Sequence, residues 1–189
     1  MKNCKRFLMI VISVLTFVLI GVTGGCKQPT THPLTDCKNW INASKQSVKT
    51  VQMDLEMQDS GVKVYAYERE ITFEEDGSAS VKIVESKLNS AFALESKETT
   101  ERVAQADRNT LLTLSLEESK LKTNTYADGK LTVTVAAENV DDVLGWELTQ
   151  PATDVEMVFV FANQQLTSVS CSFKTATGKN VSCSFVYGY

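Results

Sequence analysis

From residue 51 to the end of the chain, apolar side chains return at every second position through most of the length, a period that selects antiparallel strands over helices. Residues 51–57 (VQMDLEM) set Val51, Met53, Leu55 and Met57 against Gln52, Asp54 and Glu56, so one face is apolar and the other wet. Ser60-Gly61 turns the chain. Residues 62–75 and 79–88 then form a hairpin around Asp76-Gly77-Ser78, where a three-residue loop would set Ile71 against Ile83 and Phe73 against Val81. Residues 91–97 and 111–116 (LLTLSL) read as strands, with a short strand or helical segment near 101–106. Asp128-Gly129, a dipeptide suited to a type I′ turn, joins Leu121–Ala127 to Lys130–Ala136. A meander of 155–161 (VEMVFVF), 166–174 (LTSVSCSFK) and 181–187 (VSCSFVY) ends the chain. Its first strand is apolar on both faces and is expected to be covered on both.

Helical period occurs mainly before these strands. Over residues 35–51, Cys37, Trp40, Ile41, Ser44, Val48 and Val51 share one face, with Thr35 as the expected N-cap and Asp36 in the first turn, where the helix dipole favours an acid. This stripe has two readings: packing on a sheet, or a lid with Trp40, Ile41 and Val48 facing a cavity. Residues 138–145 predict a second short helix stopped by Gly145. Its adjacent Asp141 and Asp142 diverge by about 100° around a helix and are poorly placed to converge on one metal ion. The fold class is therefore α+β, mostly β: one antiparallel sheet with an N-terminal helix and a short second helix packed on it.

The amino terminus has a different composition. Lys2, Lys5 and Arg6 precede sixteen uncharged, mostly apolar residues from Phe7 to Val22, followed by Thr23-Gly24-Gly25-Cys26. A basic head, an apolar middle and small residues at the cut point are the parts of an export signal. The apolar run falls short of the ~20 residues that cross a bilayer as a helix, which disfavours the alternative of an uncleaved anchor. The segment resembles the lipobox of bacterial lipoproteins, with Thr23 standing where that family prefers Leu, Val or Ile. The resemblance implies cleavage after Gly25, acylation of Cys26 (a palmitate-type anchor) and a place on the extracytoplasmic face of a bacterial cell membrane. Residues 1–25 are then the signal, 26–34 a proline-containing tether, and 35–189 a single domain expected to be a monomer.

Without residues 1–25 the formal charge is −7, because Lys2, Lys5 and Arg6 leave with the signal. Nucleic acid is an improbable partner for such a body. The sole histidine, His32, lies in the tether, so Ser/His/Asp, Cys/His and histidine-ligated metal arrangements are absent from the domain. There is no phosphate-binding glycine loop, no GxSxG and no HExxH. No catalytic residue, cofactor or metal is expected. Beyond Cys26 the domain holds Cys37, Cys171 and Cys183. A three-residue loop at Ala176-Thr177-Gly178 pairs Thr175 with Lys179 and so sets Cys171 opposite Cys183, Val169 opposite Phe185 and Phe173 opposite Val181. Directly opposed cysteines can bridge, but counting from the turn they fall at a hydrogen-bonded pair, where side chains lie farther apart. A Cys171–Cys183 bridge, a bridge from Cys37 to either, and three free thiols all remain open.

A helix-to-strand opening SVKTVQMDLEM at 47–57, the closing run VEMVFVFANQQLTSVSCSFKTATGKNVSCSFVY at 155–187 and the acylation signal together resemble the bacterial lipoprotein-carrier half-barrels. That likeness implies a curved sheet folded around an apolar cavity, closed by helices, that holds acyl chains. Two functions follow as expectations: a non-enzymatic, membrane-anchored binding module for an apolar or lipid ligand, or a membrane-anchored protein that contacts other proteins and has no ligand cavity.

Overall fold

The computed structural model describes residues 33–145 and 151–189. Helix α1 (Pro33–Ser47) leads into β1 (Thr50–Asp59), β2 (Val62–Phe73), β3 (Ala79–Leu88) and β4 (Leu94–Val103). A one-turn helix α2 (Arg108–Leu111), an extended strap through residue 117 and a 3-10 turn (Glu118–Lys120) connect to β5 (Leu121–Ala127) and β6 (Lys130–Val135). A second 3-10 turn (Ala137–Asn139) and α3 (Val140–Leu144) precede β7 (Val155–Ala162), β8 (Gln165–Lys174) and β9 (Asn180–Gly188). The expected signal, Cys26 and most of the tether lie outside the described residues.

Among the described residues nine strands form one antiparallel sheet in the order β4-β3-β2-β1-β9-β8-β7-β6-β5. Every neighbouring pair is consecutive in sequence except β1–β9, which joins two meanders. That is the order of an up-and-down barrel opened between β4 and β5, and the sheet is curved and unclosed. Three hairpins are closed by two residues with positive φ: Ser60-Gly61, Asp128-Gly129 and Asn163-Gln164. Turns of this hand match the right-handed twist of the strands they join. At the second of them, a Cβ on Gly129 would stand 2.9 Å from the Phe161 carbonyl oxygen, and the backbone N–H of Phe161 donates to the Gly129 carbonyl at 2.7 Å.

Inward side chains of β1, β2, β6, β7, β8 and β9 build the core, with Leu131, Val133, Met157 and Phe159 fully enclosed. Helix α1 covers the β5 and β8 side with Cys37, Ile41 and Ser44 buried. Its tie to β8 is a buried hydrogen bond from the Leu166 N–H to Ser44 Oγ at 2.9 Å.

Several sequence expectations are corrected. The helix runs over 33–47 rather than 35–51, so Pro33 and Leu34 belong to it and Thr35 lies inside instead of capping it. Proline suits a first turn because its missing N–H needs no partner there, and β-branched Val48 and Val51 favour the extended chain that follows. In the β2–β3 hairpin Ile71 faces Val81 and Phe73 faces Ala79, two residues away from the expected register. A five-residue loop, held by the Ser78 N–H and Oγ donating to Asp76 Oδ1 at 2.9 and 2.6 Å, replaces the three-residue one. Apolar matching could not distinguish the two, since a shift of two leaves every side chain on its own face. Residues 94–103 form one strand, and 112–117 form none: Leu112, Leu114 and Leu116 alternate inward from an extended strap that pairs with no strand. Strand β7 is buried on one face only, with Val158 and Val160 half-buried on the other.

Candidate functional site

Between the strap and the sheet lies a partly open gap, with Thr113 and Gly145 exposed at its mouth. It measures about 40 Å³, between Val51, Met53 and Ile71 of β1 and β2, Phe185 and Tyr187 of β9, and Leu112, Leu114 and Leu144 above. Its lining is apolar apart from Arg69, Thr113 and the Tyr187 hydroxyl, whose pKa is pushed up by burial.

Few polar contacts hold the strap. Asp107 caps α2, accepting from the Asn109 N–H and Thr110 Oγ1, each at 2.9 Å. Arg108 is the principal pin. Its guanidinium stacks 4.0 Å from the Phe73 ring centre and donates to the carbonyls of Lys45 (3.3 Å) and Val48, using acceptors that the C-terminal end of α1 leaves open. Farther along, the Ser115 N–H donates to the Val143 carbonyl at 2.9 Å and Thr113 Oγ1 to the Gly145 carbonyl at 2.8 Å.

The expected cavity residues sit elsewhere. Trp40 is half-buried and meets Tyr126 and Phe161 edge-on, with ring centres 5.9 and 5.5 Å apart. Ile41 and Val48 are core residues, and none of the three lines the gap. The helix lies over the β5–β8 side, whereas the gap lies where the strap bridges β1, β2 and β9.

Cys171 and Cys183 stand directly opposite each other, with Val169 facing Phe185 and Phe173 facing Val181, the register read from the 176–178 turn. Both are buried free thiols, as is Cys37. A hydrogen bond between the paired sulfurs, reinforced by burial, holds Cys183 protonated. Burial, with the Asp36 charge beside it, pushes the Cys37 thiol up to about 12, which leaves it a packing group rather than a nucleophile.

A second concavity lies on the sheet's solvent face, a shallow groove of about 610 Å³. Its floor is two cross-strand serine pairs, Ser170 with Ser184 and Ser172 with Ser182. Taller carboxylates rim it: Glu156 on one side, and Asp54, Glu56 and Glu68 on the other. The Glu56 carboxylate is held below its usual range by hydrogen bonds from Lys63 and Gln58. The alternation of serines with Val169, Cys171 and Phe173 was visible in the sequence, but the low floor between taller carboxylates emerges only once five strands align.

No helix among the described residues is long and apolar enough to cross a membrane. No family model matches the chain, and no curated protein matches its sequence. Among solved structures the chain is similar to LprF from Mycobacterium bovis, a mycobacterial lipoprotein, at 12% identity over 82% of this chain and 93% of that one, with a TM-score of 0.36. It is also similar to the redesigned β-barrel mFAP1 bound to DFHBI, at 11% identity over 76% and 97% and a TM-score of 0.25. A third likeness is to the dehydratase domain from the CurK module of curacin polyketide synthase, at 11% identity over 77% of each chain and a TM-score of 0.25.

Proposed function

We propose that the protein is a membrane-anchored extracytoplasmic lipoprotein, held by acylated Cys26, that performs no catalysis and binds an apolar or lipid ligand between the sheet and the strap. The observation that carries this reading is the apolar gap beneath a segment that no strand ladder secures. Small-molecule sites run to roughly 300 Å³ or more, so a gap of about 40 Å³ must widen by displacement of the strap. Exposing Leu112, Leu114 and Leu116 would cost about 5–9 kcal/mol, from 1.5–3 per side chain. At ~0.8 kcal/mol per methylene, a chain of roughly six to eleven buried methylenes offsets that cost. The ligand class is therefore a long acyl chain rather than a compact apolar molecule.

Two measurements test the reading. Growth on a labelled fatty acid is expected to label the chain and not its Cys26→Ala variant. Titration with a naphthylamine dye is expected to show weak binding by the native protein and at least fivefold tighter binding by Arg108→Ala, which unpins the strap. If neither protein takes up dye and native mass spectra carry no acyl species, ligand binding fails. The small gap would then favour the second reading, an anchored protein that works by contact with other proteins.

A further inference from the structure

Strand β4 is an open edge of the sheet. Every residue from Leu94 to Arg102 is exposed, so both faces are wet, and among the described residues only β3 pairs with it. An edge of this kind presents unpaired backbone N–H and C=O groups along its length. The opposite edge, β5, is shorter and interrupted near Leu121–Thr123, which makes it a poorer template.

Two large apolar side chains beside β4 are exposed. Phe92, 85% exposed, sits at the tip of the β3–β4 hairpin with φ of 58°, a conformation unfavourable for a bulky residue. The tip is braced: Asn89 Oδ1 accepts from the N–H groups of Ala91 (2.9 Å) and Ala93 (3.0 Å), and its Nδ2 donates to Glu95 Oε1 at 2.7 Å. Leu94, the first residue of the strand, is 42% exposed.

We propose that β4 pairs antiparallel with β4 of a second copy, about a two-fold axis through Thr99, in place of the monomer expected from the sequence. A two-fold perpendicular to the sheet keeps each side chain on its own face, so the axis must pass through a residue that meets its own counterpart. Axes through Lys97, Glu98, Glu101 or Arg102 bring like charges together. An axis through Ser96 leaves a ladder of only five strand residues. One through Thr100 relies on Glu98 and Arg102, which are already paired with Lys82 (3.0 Å) and Asp76 (2.8 Å) in their own chain. Thr99 gives a ladder of nine residues, 95–103, and sets Lys97 opposite Glu101 of the second copy twice. Among the described residues neither forms a salt bridge in its own chain; Lys97 stands opposite Glu85 of β3, which is salt-bridged to Lys87, and only its longer-range charge helps hold that carboxyl below the usual range. Charge placement and ladder length thus select one alignment.

Cysteine crosslinking of the full chain in membranes tests it. Opposed Cα atoms at the axis lie ~4.5–5.5 Å apart, within disulfide reach. Under mild oxidation Thr99→Cys is expected to give a disulfide-linked dimer at least tenfold more abundant than Ser96→Cys, which would face Arg102. Adding Lys97→Glu to Thr99→Cys should reduce the dimer at least tenfold, and adding Glu101→Lys as well should restore it. Absence of a Thr99→Cys dimer, an equal yield from Ser96→Cys, or indifference to Lys97→Glu would overturn the proposal.

Discussion

Replacing Phe159 by alanine is expected to lower the stability of the domain by about 3–5 kcal/mol, measured as the shift in urea midpoint multiplied by the denaturant slope. Phe159 is the largest fully enclosed side chain among the described residues, central in β7, with Leu131 of β6 on one side and Val169 of β8 on the other. No neighbour can collapse into the space, because each is fixed by its own strand pairing. For a domain whose total stability falls in the usual ~5–15 kcal/mol, the loss would be about a fifth or more. Val158→Ala, one residue away on the half-buried face, should cost less than about 1.5 kcal/mol. Equal losses at the two positions would mean that the sheet does not have one dry face and one wet face.

Gly145→Ala is the second large effect, and it bears on the site. Gly145 ends α3 with φ of 67°, where any other residue carries a cost of about 1 kcal/mol. The added Cβ would stand 2.1 Å from Thr113 Oγ1, 2.2 Å from Thr113 Cβ and 2.8 Å from the Thr113 carbonyl carbon, so the strap backbone must move. Together with loss of the Thr113 hydrogen bond, about 3 kcal/mol is expected, or a melting temperature lower by roughly 6–12 °C. Thr113→Gly in the same chain should relieve the two side-chain clashes and leave the close approach to the strap backbone and the backbone strain. A displaced strap should also raise dye uptake. A Gly145→Ala protein that melts as the native one does would show that the strap is not fastened at this point.

The N-terminal helix, the type I′ hairpin at Asp128-Gly129 and the terminal meander were legible because each rests on a short-range rule: a 3.6-residue stripe, a dipeptide able to take positive φ twice, and strict alternation. The Cys171–Cys183 register was legible for the same reason, since a turn of known length counts backward residue by residue. The alternation at Leu112, Leu114 and Leu116 was misread as a strand. An extended segment with one face inward shows the same period whether or not a neighbour supplies hydrogen bonds, and only the partner distinguishes strap from strand. The strap is what forms the candidate site, so the site was the least legible part. Phe92 falls within the strand expected over 91–97, and nothing local says that it stands instead at the hairpin tip with its ring uncovered.

Local rules within the chain settled which residues face inward, where most strands begin and turn, and that the fold is a mostly antiparallel sheet with one main helix. Tertiary structure alone decided that β1 and β9 join the two meanders, that β4 and β5 stay apart, and that the chain between them crosses the interior instead of closing the barrel. Those outcomes depend on contacts between residues far apart in sequence, whose energies compete across the whole sheet, and no periodicity within a segment encodes them.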